Sequence, residues 1–186
     1  RLPSLISMSG VNGVCKRSLN VAIWPLLSLL GWLSWPAPCS AKEIPYRVLF
    51  VAAGNQYGFD YRLLAAQSKQ ESAYRPNVTS RAGAQGLMQI LPSTGRDISR
   101  EIGIERYDLF TPWDSIRFGT YYDFKQRAYT KPLAKDYMDN LRLMLCAFNS
   151  GPHRVNQYGD CPPFKETQHY SRKIFQFWPE NRGMNG

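Results

Sequence analysis

Apolar positions in this chain come in short runs, often interrupted, and most recur at helical spacing. Asp60 is a good helix N-cap, and Leu64, Ser68 and Glu71 follow on one face at i, i+4, i+7, which predicts a helix over 61–72 ended by Pro76. Residues 80–89 are polar and glycine-rich and predict a loop, with a strand-like turn near Leu87. Pro92-Ser93-Thr94 opens a second helix to about 102. Thr111-Pro112 opens a third, with Ile116, Gly119, Thr120 and Phe124 on or near its buried side. Met138, Leu141, Leu145 and Phe148 predict a fourth over 135–148. A short helix follows Pro152, and a last one over 167–177 is capped by Pro179. Pro45 argues against an early helix, so 42–51 reads as a lead-in. Frequent breaks from 13 prolines and 14 glycines, without any repeat, make the expected class a small, mostly α domain.

The first 41 residues follow another pattern. Lys16 and Arg17 precede an apolar stretch over 19–35, and Pro36-Ala37-Pro38-Cys39-Ser40-Ala41 closes it with small residues and helix breakers. That order is the signature of an export signal, cut after Ala41 or close by. The stretch falls short of the roughly 20 residues a membrane helix needs, and Pro25 interrupts it. An uncleaved leader acting as a membrane anchor is the alternative. Cys39 raises a lipoprotein reading, which Pro38 just before it fits poorly. Met8 is a candidate start, which would put 1–7 upstream of the translated protein. The expectation is a signal peptide over 1–41, a domain over 42–186 and a periplasmic location.

Without residues 1–41 the chain has 145 residues, enough for one domain with a single core. Three basic and no acidic residues leave with the leader, so the net charge falls from +9 to +6. A basic surface suits nucleic acid, an anionic membrane or an acidic polymer. The basic residues are scattered, no nucleic-acid motif is present, and export argues against DNA. Cys146 and Cys161 are the cysteines left outside the leader, an even pair in an oxidising compartment. A disulfide between them would close a loop holding Phe148, Asn149 and Ser150, worth about 3 kcal/mol in the chain-entropy model. Two buried free thiols are the alternative.

Three segments carry the candidate chemistry: Gln70-Glu71-Ser72-Ala73-Tyr74, then Gly83-Ala84-Gln85-Gly86-Leu87-Met88-Gln89, then Ala147-Phe148-Asn149-Ser150-Gly151. A carboxyl that protonates a glycosidic oxygen at neutral pH must have its pKa raised, and apolar burial does that. Leu64, Met88 and Tyr170 are candidate walls for Glu71. Gly83 and Gly86 allow a tight turn or close approach, and Gln89 has a donor and an acceptor for an acetamido sugar. Most glycosidases use two carboxylates. Asp60 lies at the far end of the Glu71 helix, roughly 16 Å away, and Asp97, Glu101 and Asp108 stand outside the three segments. Glu166 and His169 have the spacing of half a di-iron motif, but His153 is the only other histidine, so no metal and no cofactor is expected.

Taken together and in this order, the three segments and Glu166-Thr167-Gln168-His169-Tyr170 resemble the soluble lytic transglycosylase family over about 56–178. The resemblance implies a single goose-lysozyme-like, mostly α domain with a substrate groove. It implies cleavage of the β-1,4 bond between N-acetylmuramic acid and N-acetylglucosamine in peptidoglycan, leaving 1,6-anhydromuramic ends. Glu71 would be the acid and then the base. Ser72 would shape the site, Met88 and Gln89 would line the glycan groove, and Gln85 would match the pattern while holding the loop. Asn149 would hold the N-acetyl group, Tyr170 would bond near the catalytic carboxyl, and Glu166 would face the peptide side. Phe148 stands where the family commonly has Tyr and so lacks a hydroxyl. A hydrolytic muramidase on the same fold and a non-catalytic wall-binding module are the rival readings. The expected partner is the peptidoglycan strand, with a cell-envelope secretion or conjugation machine as a further candidate, no nucleic acid, and a monomeric state.

Overall fold

The computed structural model describes residues 43–182, so the leader expected over 1–41 lies outside the described residues. They form seven α-helices: α1 (Arg47–Tyr57), α2 (Tyr61–Ser72), α3 (Pro92–Ile102), α4 (Pro112–Thr130), α5 (Tyr137–Ser150), α6 (Pro152–Tyr158) and α7 (Lys165–Arg182). A short 3₁₀ turn, Lys131–Leu133, joins α4 to α5. Isolated bridges from Gln85 to Thr79 and to Ile90 are the only β pairing among these residues. None of the described helices is long and apolar enough to cross a membrane. The mostly α expectation holds.

The central pair is α2 with α7. Asp60 caps α2 by accepting from the Arg62 backbone N–H at 2.9 Å, and its other oxygen accepts from Trp178 Nε1 at 2.9 Å. At the opposite end of α2, Glu71 accepts from the Tyr170 hydroxyl at 2.5 Å. Early α2 therefore meets late α7 and the reverse, so the two helices run antiparallel. Leu63, Leu64, Ala65 and Ala66 of α2 join Ile116, Phe118, Leu141, Met144, Leu145 and Ile174 in one fully buried core. Burying a side chain of the Leu or Ile class contributes roughly 1.5–3 kcal/mol, so this contiguous cluster dominates stability.

Four expectations need correction. The second half of the segment read as a lead-in, from Arg47 on, belongs to α1, because Pro45 lies before the helix, outside its hydrogen-bonded turns. Phe50 and Ala53 of α1 are fully buried. Phe124 is 41% exposed: the buried face of α4 runs through Ile116, Gly119, Thr120 and Asp123, and Phe124 falls beside it, against the Tyr57 and Tyr121 rings. Met138 is 49% exposed because the core face of α5 begins at Leu141. Finally, α7 starts two residues before the expected Thr167 and continues past Pro179, which removes only one backbone donor in the last turn.

Cys146 and Cys161 are bonded, with Cα atoms 5.5 Å apart. The bond ties the last turn of α5 to the segment after α6 through a second buried cluster of Leu143, Ala147 and Val155. Its two cysteines are 15 apart in sequence, and Phe148 and Asn149 lie between them. Replacing both cysteines by serine should lower the unfolding free energy by about 3 kcal/mol. Guanidinium titration of the oxidised protein and the double variant measures this, and equal midpoints would show that the crosslink contributes nothing.

Candidate active site

Helix α2 ends in an unusual way. Ala73 and Tyr74 both adopt left-handed backbone (φ 52° and 60°), which carries a cost for residues with a Cβ, and Pro76 follows. Arg75 Nε donates to the Ser72 carbonyl at 3.0 Å and closes this turn. Glu71 is thereby set in the last turn, where the negative end of the helix dipole disfavours a carboxylate.

Against this end lies the 80–90 loop. Ser72 is buried and donates to the Leu87 carbonyl at 3.0 Å, and Ser68 donates to the same oxygen at 3.2 Å. Met88 is fully buried over Gly119 of α4, and its backbone N–H donates to Ser115 Oγ at 3.1 Å. A Cβ at Gly119 would stand 2.5 Å from the Met88 Cβ, so only glycine lets the loop sit this close to the helix. Gly86 has φ 77°, and a Cβ there would lie 1.8 Å from the Leu109 carbonyl oxygen. The close approach that this glycine permits is to the protein's own backbone.

Between these elements opens a cavity of about 270 Å³ lined by Glu71, Ser80, Gln89, Thr94, Tyr122, Phe148 and Asn149, together with Ala82, Ala84, Ile90 and Leu91. Glu71 is its one acidic lining residue. Burial pushes the Glu71 carboxyl up to about 7, opposed by the Tyr170 hydroxyl, whose hydrogen bond favours the carboxylate. Tyr170 is itself buried, and burial together with the Glu71 charge holds its hydroxyl well above the usual phenol range, so it remains a donor. A carboxyl poised near neutrality, open to a cavity on one side, can give a proton to a bound oxygen and take one back.

The residues singled out from the sequence divide into three groups. Glu71, Gln89, Phe148 and Asn149 meet at the cavity. The Gln89 amide donates to the carbonyls of Gly86 at 2.9 Å and Val78 at 3.3 Å, so its Oε1 is the part left for a ligand. The Asn149 carbonyl accepts from Thr167 Oγ1 at 2.8 Å, and Phe148 packs edge-on against Tyr122 at 5.2 Å. Ser72, Met88 and Tyr170 stand behind the wall, and Gln85 pairs along the loop with Thr79 and Ile90. Glu166 lines a neighbouring hollow of about 290 Å³ with Asn149, Ser150, Arg154, Phe164 and Thr167.

No second carboxylate comes from the expected set: Asp97 pairs with Arg100, Glu101 with Lys125, and Asp108 accepts from the Phe110 N–H, all three exposed. Sequence reasoning did not single out Tyr122 as a cavity wall, nor Gln67 and Asp123 beneath it. The signal was present for Asp123, which lies four residues after Gly119 and seven after Ile116, on the predicted buried face of α4.

A family model described as "Transglycosylase SLT domain" matches residues 48–171. The chain is 33% identical over 116 residues to a putative soluble lytic murein transglycosylase of Haemophilus influenzae, covering 61% of this chain and 18% of that protein. It is 30% identical over 129 residues to the soluble lytic murein transglycosylase of Escherichia coli, covering 60% of this chain and 19% of that one. It thus spans about a fifth of the length of these relatives. Its fold is similar to that of an inactive Glu-to-Gln mutant of the lytic transglycosylase Slt from Pseudomonas aeruginosa, with a TM-score of 0.66 and 26% identity over 76% of this chain and 25% of that one.

The raised Glu71 pKa predicts how stability depends on pH. The folded protein holds this proton more tightly than the unfolded chain, so the gain is full below about 4.5 and lost as pH rises through about 7. Above that, the buried carboxylate costs about 3 kcal/mol, which a neutral amide avoids. Glu71→Gln and wild type should melt together near pH 4, and the variant should melt higher at pH 8. Parallel melting curves across the range would remove the burial argument.

Proposed function

The chain belongs to the transglycosylase SLT family, and we propose that it is an exported enzyme that cleaves peptidoglycan glycan strands by lytic transglycosylation, with Glu71 as acid and then base. The single observation that carries this reading is the neutral-poised Glu71 carboxyl, bonded to Tyr170 at 2.5 Å, as the one acidic group lining the cavity. The relatives named as lytic murein transglycosylases supply the substrate class.

Below its pKa, Glu71 carries a proton and gives it to the oxygen between N-acetylmuramic acid and N-acetylglucosamine as that bond breaks. The leaving sugar departs as an alcohol, and positive charge develops at the muramic anomeric carbon. The substrate's own acetamido group stabilises this centre. Asn149 suits that group, because Thr167 holds its carbonyl oxygen and leaves its amide N–H groups as donors. Glu71, now a carboxylate and stabilised by the Tyr170 hydroxyl, takes the proton of the C6 hydroxyl. The C6 oxygen bonds to the anomeric carbon, and the product is a 1,6-anhydro sugar. No water is consumed, so one carboxyl suffices, in keeping with the cavity's lining. The leader-like pattern over 1–41 supports a periplasmic location, where the charge of +6 left after its removal suits a polyanionic wall and a secretion or conjugation machine is a candidate client.

Mass spectrometry of fragments released from purified peptidoglycan tests the reading. Products one water lighter than hydrolytic fragments are expected, and Glu71→Gln should reduce their rate by at least about 10²–10⁴-fold. Reducing-end products would instead make the protein a muramidase. A folded protein that pellets with the wall but releases nothing would make it a binding module.

The rate should also fall as pH rises through about 7, since the acid form starts the reaction. Tyr170→Phe removes a hydrogen bond that favours the carboxylate, so it should move this limb to higher pH and lower kcat. An unmoved limb with wild-type kcat would take Tyr170 out of the site.

A further inference from the structure

Beneath the cavity wall lies a buried acid that the reaction as derived leaves unused. Asp123, on α4, is fully buried. Its Oδ1 accepts from Gln67 Nε2 at 3.2 Å. Its Oδ2 has no donor, and neither does Oε1 of the same Gln67, which is also fully buried. Two solvent-free acceptors without donors, on two side chains already joined by one hydrogen bond, are an expensive arrangement. A single proton on Asp123 Oδ2 resolves both. The acid then donates to Gln67 Oε1 while its carbonyl oxygen accepts from Gln67 Nε2, the two-bond pairing of a carboxylic acid with an amide.

The pair is connected to the site. Gln67 precedes Glu71 by one helical turn on α2, and its side chain bears on the Tyr170 phenol in the sense that lowers its pKa, as an amide N–H facing the phenol oxygen would. Nε2 has two hydrogens, so with one given to Asp123 the other can face Tyr170. The chain of contacts therefore runs from Asp123 through Gln67 to Tyr170 and Glu71. A phenol that accepts a hydrogen bond becomes a better donor, so a fixed Gln67 strengthens the bond from Tyr170 to Glu71.

We infer that Asp123 is a positioning residue held as a neutral carboxylic acid, paired through both oxygens with Gln67, and that this pair locks the Gln67 amide behind Tyr170. The charges around it agree. Burial raises the Asp123 pKa well above the usual carboxylate range, and the Glu71 charge on α2 raises it further. Arg127, one turn along α4, opposes this, but its guanidinium is already engaged with the carbonyls of Tyr57 and Gly58. Tyr122 on α4 and Tyr170 on α7 have hydroxyls that burial holds above their usual range, so neither adds a negative charge beside Asp123. Burial and the Glu71 charge both favour the protonated form of Asp123 that its unpaired Oδ2 calls for.

The inference rests on reading Glu71 as the acid, yet one arm of its test needs no activity. Carboxyl ¹³C NMR of the aspartate-labelled full chain, titrated across neutral pH, should show one aspartate that remains protonated. That resonance should vanish in Asp123→Asn and persist in Glu71→Gln. An Asp123 resonance that ionises with the ordinary carboxylates overturns the inference even if the enzyme is active, whereas inactivity with the protonated signal present counts against the functional reading alone.

In the kinetic arm, an asparagine at 123 can make the same two bonds, so Asp123→Asn should retain most of kcat and the same pH limb. Asp123→Leu frees the Gln67 amide and should lower kcat roughly tenfold or more, with KM little changed and the limb moved to higher pH. A downward-shifted limb in Asp123→Asn would mean that Asp123 acts as a charge and overturns the inference. Wild-type kcat and limb in Asp123→Leu would reduce the pair to a structural role and overturn it as well. Circular dichroism checks that the Leu variant folds, and if it does not, the Asn variant and the NMR titration decide.

Discussion

The hydrogen bond from Tyr170 to Glu71 is the contact on which the rest of this site depends. It joins residues 99 apart in sequence, so it exists only once α7 has docked along α2. Removing a carboxyl from water without a partner costs several kcal/mol, and the same holds on a smaller scale for a phenol hydroxyl. Each group makes the burial of the other tolerable. At the far end of the same helix pair, Asp60 and Trp178 make the matching contact, so α2 is pinned at both ends with little freedom to slide. A carboxyl held this firmly needs no reorganisation before it gives up its proton.

The opposite wall is shaped by shape constraints more than by hydrogen bonding. Gly86 and Gly119 allow the 80–90 loop to lie directly on α4 and on the Leu109 backbone. Met88 fills the space that Gly119 leaves, and Ser68 and Ser72 together hold the Leu87 carbonyl. Ser72 and Met88 thus act on the cavity from behind it, by fixing the loop that carries Gln89. The disulfide does comparable work on the third side, where it braces the end of α5 that presents Phe148 and Asn149.

The elements read well from sequence are those whose cause is local. Asp60 caps α2 because a carboxylate there meets free backbone N–H groups whatever the tertiary fold. The glycines of the 80–90 loop and the Pro-opened helices α3, α4 and α6 follow from backbone geometry in the same way. The errors came where a local signal met a packing decision. Pro45 misleads because a proline before a helix and one inside it look alike in a sequence. Phe124 reads as on or near the buried side because a large apolar residue next to a buried stripe is grouped with it by default, while Asp123, which lies on that stripe, reads as polar and therefore outside.

By itself, then, the sequence determined the helical class, and Glu71 as a carboxyl at a helix end near a glycine-rich loop and an Asn-bearing turn, while leaving Cys146 and Cys161 either bonded or free. These follow from periodicity, capping and motif order, all properties of neighbours in the chain. Only the tertiary structure decided which carboxyl would be buried beside the cavity, which would stay outside in ion pairs, and which would lie sealed beneath it. Glu71, Glu101 and Asp123 are chemically near-identical, yet burial raises Glu71 and Asp123 while the Lys125 hydrogen bond lowers the exposed Glu101. Desolvation is a sum over everything packed around a group, so no stretch of sequence read alone contains it.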